Sequence, residues 1–164
     1  MGMRIHIATD HAGLDFSKDV AEHLSLSGHD VIDHGPQSFD PDDDYPSFCI
    51  SAAQAVAADQ RAGEEALGVV FGGSGNGEQM AANKVAGIRA ALVWSVDTAV
   101  LAREHNDANV CALGARQHSI DEALLLIDTF IRASFSGEPR HERRIAQLAE
   151  YETTGAISGF SLNT

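Results

Sequence analysis

Basic residues are scarce in this chain of 164 residues. Eleven Lys and Arg residues stand against 24 Asp and Glu residues, and the formal net charge is −13 at pH 7. A general nucleic-acid-binding protein needs a basic face that displaces counterions from phosphates, and an anionic membrane surface favours the same kind of face. The composition therefore argues against nucleic acid and membranes as partners. If the ligand is an anion, its site must be built from local Arg and His residues.

Cysteines and long apolar runs are also few. Cys49 and Cys111 lie far apart and form no metal-binding pair, which is typical of buried thiols in a reducing cytoplasm. No apolar run approaches the ~18 residues of a membrane-spanning helix, and the first residues lack the apolar segment of a secretory signal. We therefore expect a cytoplasmic protein. Its content of 44% hydrophobic and 21% charged residues predicts a folded domain rather than a disordered chain.

Short apolar runs alternate with helical patterns along the chain. The predicted strands are residues 4–9, 30–33, 67–71, 88–94 and 110–113. The predicted helices are residues 14–27, 46–62, a short helix ending at 83, 95–104, 119–133 and 140–153. This order predicts a three-layer α/β/α Rossmann-like domain with a five-stranded parallel sheet. We expect residues 1–155 to form a single domain and residues 156–164 to form a flexible C-terminal tail.

Residues that directly follow strands are the first candidates for a site, because parallel sheets bind ligands at the carboxyl ends of their strands. Asp10 and His11 follow the first strand. They can polarise a hydroxyl and bind an anion, although Asp10 is also suited to capping the next helix. His105 and Asn106 lead into the fifth strand, and a single His in such a place is as often structural as functional.

A glycine-rich segment, residues 72–78, follows the third strand. Its glycines allow the backbone to approach a ligand closely, and successive N–H groups in such a turn bind anions. The spacing is neither that of a P-loop nor that of a dinucleotide-binding fingerprint. Glu78 at its end has two interpretations: a carboxylate that stabilises the start of a helix, or a general base aimed at the site.

Arginines form a third group of candidates. Arg116 follows the fifth strand, and Arg140 and Arg144 share one face of the last predicted helix. Paired guanidinium groups bind a phosphate well. The alternative is a solvated helix face with salt bridges to nearby Glu residues. The acidic run at residues 42–44 is more typical of a solvated loop than of a cation site.

Together these segments resemble the type B ribose-5-phosphate isomerases, a family that also includes galactose-6-phosphate and allose-6-phosphate isomerases. The matching motifs occur in order at residues 10–13, 44–46, 73–77, 81–84 and 103–106, and the resemblance covers about residues 3–153. It implies an aldose–ketose isomerase that works through an enediolate with no cofactor and no metal. It also implies a homodimer or a dimer of dimers with active sites at the interface.

The resemblance implies catalytic roles as well. Many family members carry a Cys base where this chain has Gly72, and an apolar residue at position 78. This chain resembles a subgroup in which Glu78 is the base instead. Asp10 and His105 resemble the pair that opens the sugar ring, and Ser74 is suited to relaying a proton between O1 and O2.

The remaining matched residues are implied to bind the substrate. The enediolate would contact the backbone of Gly73, Gly75, Asn76 and Gly77, a sugar hydroxyl would contact Asn106, and the phosphate would contact His11, Arg116, Arg140 and Arg144. Three alternatives stay open: an isomerase of a tetrose or hexose phosphate, a phosphate- or nucleotide-binding module without catalysis, and a structural interaction protein. The last leaves the glycine loop and the arginines unexplained.

Overall fold

The computed structural model describes residues 2–161 and contains one five-stranded sheet. Its strands are β1 (Arg4–Ala8), β2 (Asp30–Asp33), β3 (Ala66–Gly72), β4 (Ala90–Leu92) and β5 (Val110–Gly114). The order across the sheet is β2-β1-β3-β5-β4, and every neighbouring pair is parallel. The predicted five-stranded parallel sheet is confirmed.

Six α-helices flank the sheet. They are α1 (Leu14–Leu26), α2 (Tyr45–Arg61), α3 (Asn76–Ala82), α4 (Val96–Asn106), α5 (Ile120–Arg132) and α6 (Pro139–Thr154). Helices α1, α4 and α5 contribute buried side chains to the core on one face of the sheet, and α2 and α3 contribute to the core on the other. Because successive strand residues point to opposite faces, Val69 belongs to the first core and Val70 to the second. The three-layer α/β/α prediction is therefore confirmed.

Strand β4 is shorter than the predicted 88–94. The N–H of Ile88 donates to the carbonyl of Val85, which makes this residue part of a turn. At the other end, the N–H of Trp94 donates to the hydroxyl of Thr98, which belongs to the cap of α4. The N–H groups of Ile88 and Trp94 therefore hydrogen-bond within a turn and a helix cap rather than to a neighbouring strand.

Helix α6 packs little against the rest of its own chain. His141 is its one buried residue, whereas Leu148 and Tyr151 are about half exposed. These two side chains line a groove of about 660 Å³ that is shared with Ile88 and Leu92 beside β4. An apolar groove of this kind marks a surface that another protein surface can cover.

The chain continues past α6 without regular structure. Gly155 ends the helix with φ of 71°. Ile157 and Phe160 then form an isolated antiparallel bridge, and Ser158 hydrogen-bonds to Glu150. Residues 162–164 lie outside the described residues, so the flexible tail over 156–164 stays a prediction. Within the described residues, none of the helices combines the length and apolar character that crossing a membrane requires.

Candidate active site

Three adjacent strands end at one crevice of the sheet. Asp10 follows β1, the glycine-rich segment follows β3, and Arg116 follows β5. The chain reverses its direction of winding between β1 and β3, because β2 lies on one side of β1 and β3 on the other. Ligands of open parallel sheets bind at such a point. The structure therefore brings these three predicted site segments together.

Glu78 lies at the centre of this crevice. It belongs to the first turn of α3, which follows Gly75 with φ of 82°. Its carboxylate folds back over Gly72, and a Cβ atom at position 72 would overlap the Oε1 and Cδ atoms of Glu78. Gly72 and Glu78 are thus a matched pair, because the space that a side chain at 72 would fill holds the carboxylate.

Burial raises the proton affinity of the Glu78 carboxyl group. The residue is 4% exposed, and burial raises the pKa of its carboxyl group. A hydrogen bond from its own backbone N–H opposes this shift, and the negative charge of Asp10 reinforces it. A carboxylate with a raised pKa removes a proton from carbon more effectively near neutral pH than an ordinary one.

Asp10 and His11 occupy the turn between β1 and α1. The Asp10 carboxylate accepts a hydrogen bond from the N–H of Ala12 at 2.9 Å, so this buried side chain does cap the turn. The Nδ1 atom of His11 lies 2.6 Å from Oδ1 of Asp43. That hydrogen bond raises the pKa of His11, and burial opposes it. The interpretation of residues 42–44 as a uniformly solvated loop is therefore wrong for Asp43, whose side chain is 9% exposed.

Asp10, His11 and Asp43 also resemble a cation site. One ligand atom from each lies within 4.8 Å of the other two. However, the His11–Asp43 distance is that of a hydrogen bond, and the positive charge of Arg116 is close enough to lower the pKa of His11. The hydrogen bond and the nearby guanidinium account for this group without a cation, and the absence of a metal stays a prediction.

The glycine-rich loop is covered on two sides. A Cβ atom at Gly73 would lie 3.4 Å from Nη1 of Arg116, which places this guanidinium directly beside the loop. A Cβ atom at Gly77 would lie 2.6 Å from the hydroxyl oxygen of Tyr45. The Ser74 hydroxyl accepts hydrogen bonds of 3.3 Å from the backbone and side-chain nitrogens of Asn76. At Gly77 only glycine permits this close approach, because a Cβ atom there would overlap the Tyr45 ring.

The other predicted site residues lie at the amino ends of the strands, which we call the amino edge of the sheet. The crevice lies at the carboxyl ends, the carboxyl edge. Helix α4 runs from the end of β4 back to the start of β5, so His105 and Asn106 lie beside the amino ends of the strands. The rings of His105 and His141 have centroids 4.3 Å apart, and this places the start of α6, with Arg140, at the same edge. Arg144 follows one turn later, and its charge lowers the pKa of His141, after the larger effects of burial, His105 and Arg140.

The site residues therefore form two groups within one chain. Strand β5 has five residues, and at about 3.3 Å per residue it separates the two edges by roughly 16 Å. Among residues 2–161, no hydrogen bond or ion pair joins the group at the carboxyl edge to the group at the amino edge. The first group is Asp10, His11, Gly73, Ser74, Gly75, Asn76, Gly77, Glu78 and Arg116. The second is His105, Asn106, Arg140 and Arg144.

Comparison with known proteins identifies the family. A family model described as Ribose/Galactose Isomerase matches residues 5–148. The chain belongs to the ribose/galactose isomerase family. The resemblance to the type B ribose-5-phosphate isomerases is thereby confirmed.

Relatives within this family are similar over almost their whole length. The chain is 53% identical to ribose-5-phosphate isomerase B of Mycolicibacterium paratuberculosis over 152 residues, which is 93% of each chain. It is 52% identical to the enzyme of that name from Mycobacterium tuberculosis over 153 residues, covering 93% of this chain and 92% of the relative.

Solved structures of the family have the same fold. Ribose-5-phosphate isomerase B of Mycoplasma genitalium with bound ribulose-5-phosphate has a TM-score of 0.86 at 42% identity, covering 94% of this chain and 99% of that one. The Clostridium thermocellum protein has a TM-score of 0.86 at 39% identity, covering 94% and 100%.

The two cysteines of this family member are unsuited to act as a base. Cys49 and Cys111 are fully buried, and burial raises the pKa of both thiols far above neutrality. The charges of Glu78 and Asp10 raise the pKa of Cys49 further. A thiolate is therefore absent at neutral pH.

Serine at either cysteine position is expected to leave kcat essentially unchanged. The reason is that both thiols are fully buried and their pKa values are raised, so neither supplies a thiolate at neutral pH. The measurement is steady-state turnover of Cys49→Ser and Cys111→Ser beside a thermal melt, which separates lost chemistry from lost packing. A kcat reduced by orders of magnitude in a variant that is still folded would show that thiol chemistry had been wrongly excluded.

Proposed function

We propose that this protein interconverts ribose 5-phosphate and ribulose 5-phosphate, with Glu78 as the general base. The observation that carries the proposal is the buried Glu78 carboxylate held over Gly72, beside Asp10 and a glycine loop suited to anions. The relatives named ribose-5-phosphate isomerase B support the reaction, as does the ribulose-5-phosphate bound in the Mycoplasma genitalium structure.

The proposed reaction assigns roles to residues of both groups. Asp10 and His105 open the sugar ring by moving a proton between the ring oxygen and the O1 hydroxyl. Glu78 then removes the proton from C2 and returns it to C1, which converts the aldose to the ketose through an enediolate. Ser74 passes a proton between O1 and O2. The backbone N–H groups of residues 73–77 stabilise the negative charge on the enediolate oxygens.

A second copy of the chain completes the site in this proposal. His105 lies at the amino edge of its own sheet, too far from Glu78 of the same chain to share a substrate. A homodimer, or a dimer of dimers, that places the amino edge of one subunit against the crevice of the other brings them together. The exposed apolar side of α6 supports such an interface, since Leu148 and Tyr151 would be buried by it.

The phosphate is held by His11 and Arg116 from the crevice and by Arg140 and Arg144 from α6. Arg140 is more than half exposed, and its ion pair with Glu138 spans 3.0 Å on the surface. A surface pair of this kind contributes about 0–1 kcal/mol to stability. Arg144 is exposed as well, so both guanidinium groups are accessible to a phosphate of the substrate.

Replacement of Arg140 or Arg144 by Ala is expected to raise KM for ribose 5-phosphate ten- to a hundredfold. A charge-assisted hydrogen bond contributes about 1.5–3 kcal/mol, and its loss weakens binding by that amount. Steady-state kinetics measure the change. Unphosphorylated ribose should be a poor substrate, and the two variants should hardly alter its turnover. Arg132→Ala on α5 is the control for the loss of a surface charge. An unchanged KM in both variants would remove the phosphate assignment.

Turnover by the protein alone tests the proposed reaction. A panel of aldose phosphates with four, five and six carbons is incubated without added cofactor. We expect ribose 5-phosphate to give the highest kcat/KM. Preference for a tetrose or hexose phosphate would change the assigned substrate. Binding without turnover of any of these sugars would indicate a phosphate-binding module.

We also propose that residues 1–155 act as one isomerase domain in the cytoplasm, where the buried thiols stay reduced.

A further inference from the structure

We propose that Asp43 is a positioning residue that anchors the His11 ring through Nδ1 and leaves Nε2 to bind the substrate phosphate. The inference rests on the proposed function, because it specifies how one phosphate-binding group is held. Nothing in the acidic run at residues 42–44 distinguishes Asp43 from its neighbours by sequence. The structure does, since Asp42 and Asp44 are exposed and Asp43 turns inward.

Two hydrogen bonds join Asp43 to the same residue. Its Oδ1 atom accepts the backbone N–H of His11 at 3.0 Å and lies 2.6 Å from the ring Nδ1. The first bond fixes the backbone where the turn after β1 begins, and the second fixes the rotation of the ring. Among residues 2–161, Nε2 of His11 has no hydrogen-bonding partner. The anchored ring therefore presents one unoccupied nitrogen.

The surroundings favour a positively charged imidazole. The charged groups that act on His11 are Asp43 and Asp10, which raise its pKa, and Arg116, which lowers it. The Oδ2 atom of Asp43 is buried without a hydrogen-bonding partner in the described part of the chain. A buried carboxylate with so few donors is stabilised chiefly by an adjacent cation. A protonated His11 supplies that cation and carries a proton on Nε2 for an anionic ligand.

The position of the ring fits a phosphate. Arg116 reaches toward His11 from β5 and also lies beside Gly73. Two cationic side chains from different connections therefore act on one another, and one of them, Arg116, lies beside the glycine loop. A phosphate suits this arrangement, because its several oxygens accept charge-assisted hydrogen bonds from separate directions.

The first test observes the His11 ring directly. NMR titration of the ring nitrogens of the whole protein gives the pKa of His11, which is assigned by its loss in His11→Gln. We expect Asp43→Asn to lower this pKa and to weaken the chemical-shift response of the ring to inorganic phosphate. Asp42→Asn is the matched control and should change neither. An unaltered titration in Asp43→Asn would overturn the proposal.

The second test separates positioning from folding. We expect Asp43→Asn and His11→Gln each to raise KM for ribose 5-phosphate on the order of tenfold with a smaller effect on kcat. The double variant should be no worse than His11→Gln, because one group acts through the other. Asp43→Glu, which keeps the carboxylate, should recover part of the loss. Additive effects in the double variant would contradict the proposal.

The two tests also distinguish this proposal from the proposed function. If the protein does not isomerise ribose 5-phosphate but the His11 titration depends on Asp43, the reaction is wrong and the pair stands. If the protein isomerises ribose 5-phosphate and the His11 titration does not depend on Asp43, the positioning role is wrong and the reaction stands.

Discussion

Replacement of Glu78 by Gln is expected to lower kcat by about 10²–10⁴-fold, which is the usual contribution of a general base. KM for ribose 5-phosphate should change little, because the amide has the shape of the carboxylate and still fits over Gly72. The amide cannot accept the C2 proton, so the loss falls on the chemical step. Steady-state kinetics measure it, and a thermal melt shows that the variant is folded.

The pH dependence of kcat/KM supplies an independent check on Glu78. Because burial raises the pKa of its carboxyl group, activity should fall as pH drops through a value above that of an ordinary Glu, where the base becomes protonated. Glu78→Gln should lack this step.

Gly72→Ala should also have reduced turnover although the carboxylate remains, since the new Cβ atom would displace it. Glu22→Gln, on the exposed side of α1, is the matched control. Near-normal turnover by Glu78→Gln would contradict the assignment of Glu78 as the base.

Mixing two inactive variants is expected to restore about a quarter of the wild-type activity if two subunits build each site. Glu78→Gln and His105→Gln each damage both sites of a homodimer. In a mixed dimer, one site contains both substitutions and the other site contains neither. Random exchange makes half of the dimers mixed, and each mixed dimer has one working site of two. The measurement is activity before and after subunit exchange.

A second mixture is the control for subunit exchange. Asp10 and Glu78 lie at the same edge of one chain, so a mixed dimer of Asp10→Asn and Glu78→Gln has one lesion in each site. Activity should not recover in that mixture. Equal recovery in both mixtures, or recovery in neither despite proven exchange, would contradict a site divided in this way.

The fold could be predicted from the sequence because each element carries its own local signal. The apolar, β-branched run of β3 and the Ser119–Glu122 capping box of α5 are examples, and both are present in the structure. The order of the strands carries no such signal, because it depends on pairing between distant segments. The ends of β4 were misplaced for a similar reason, since a turn at Ile88 and the cap at Thr98 compete for its backbone groups.

The rule that ligands bind where parallel strands end accounts for part of the predicted site. That rule selected Asp10, the glycine loop and Arg116, which the structure brings together. His105 precedes β5 and does not follow a strand, so its position alone leaves a structural and a functional role equally open, and the family motif favours the functional one. The sequence does not predict the inward orientation of Asp43, because it depends on how residues 35–44 fold against β1, where the N–H of Thr9 donates to the carbonyl of Gly35.

The central claim is that Glu78 takes a proton from carbon, and solvent isotope uptake tests it most directly. The protein is incubated with ribose 5-phosphate in D₂O, and NMR follows the hydrogens at C1 and C2 to equilibrium and beyond. The account predicts conversion to ribulose 5-phosphate with deuterium entering at C1, and strong slowing of both processes in Glu78→Gln. Conversion and deuterium uptake that proceed at the wild-type rate in Glu78→Gln would contradict the account.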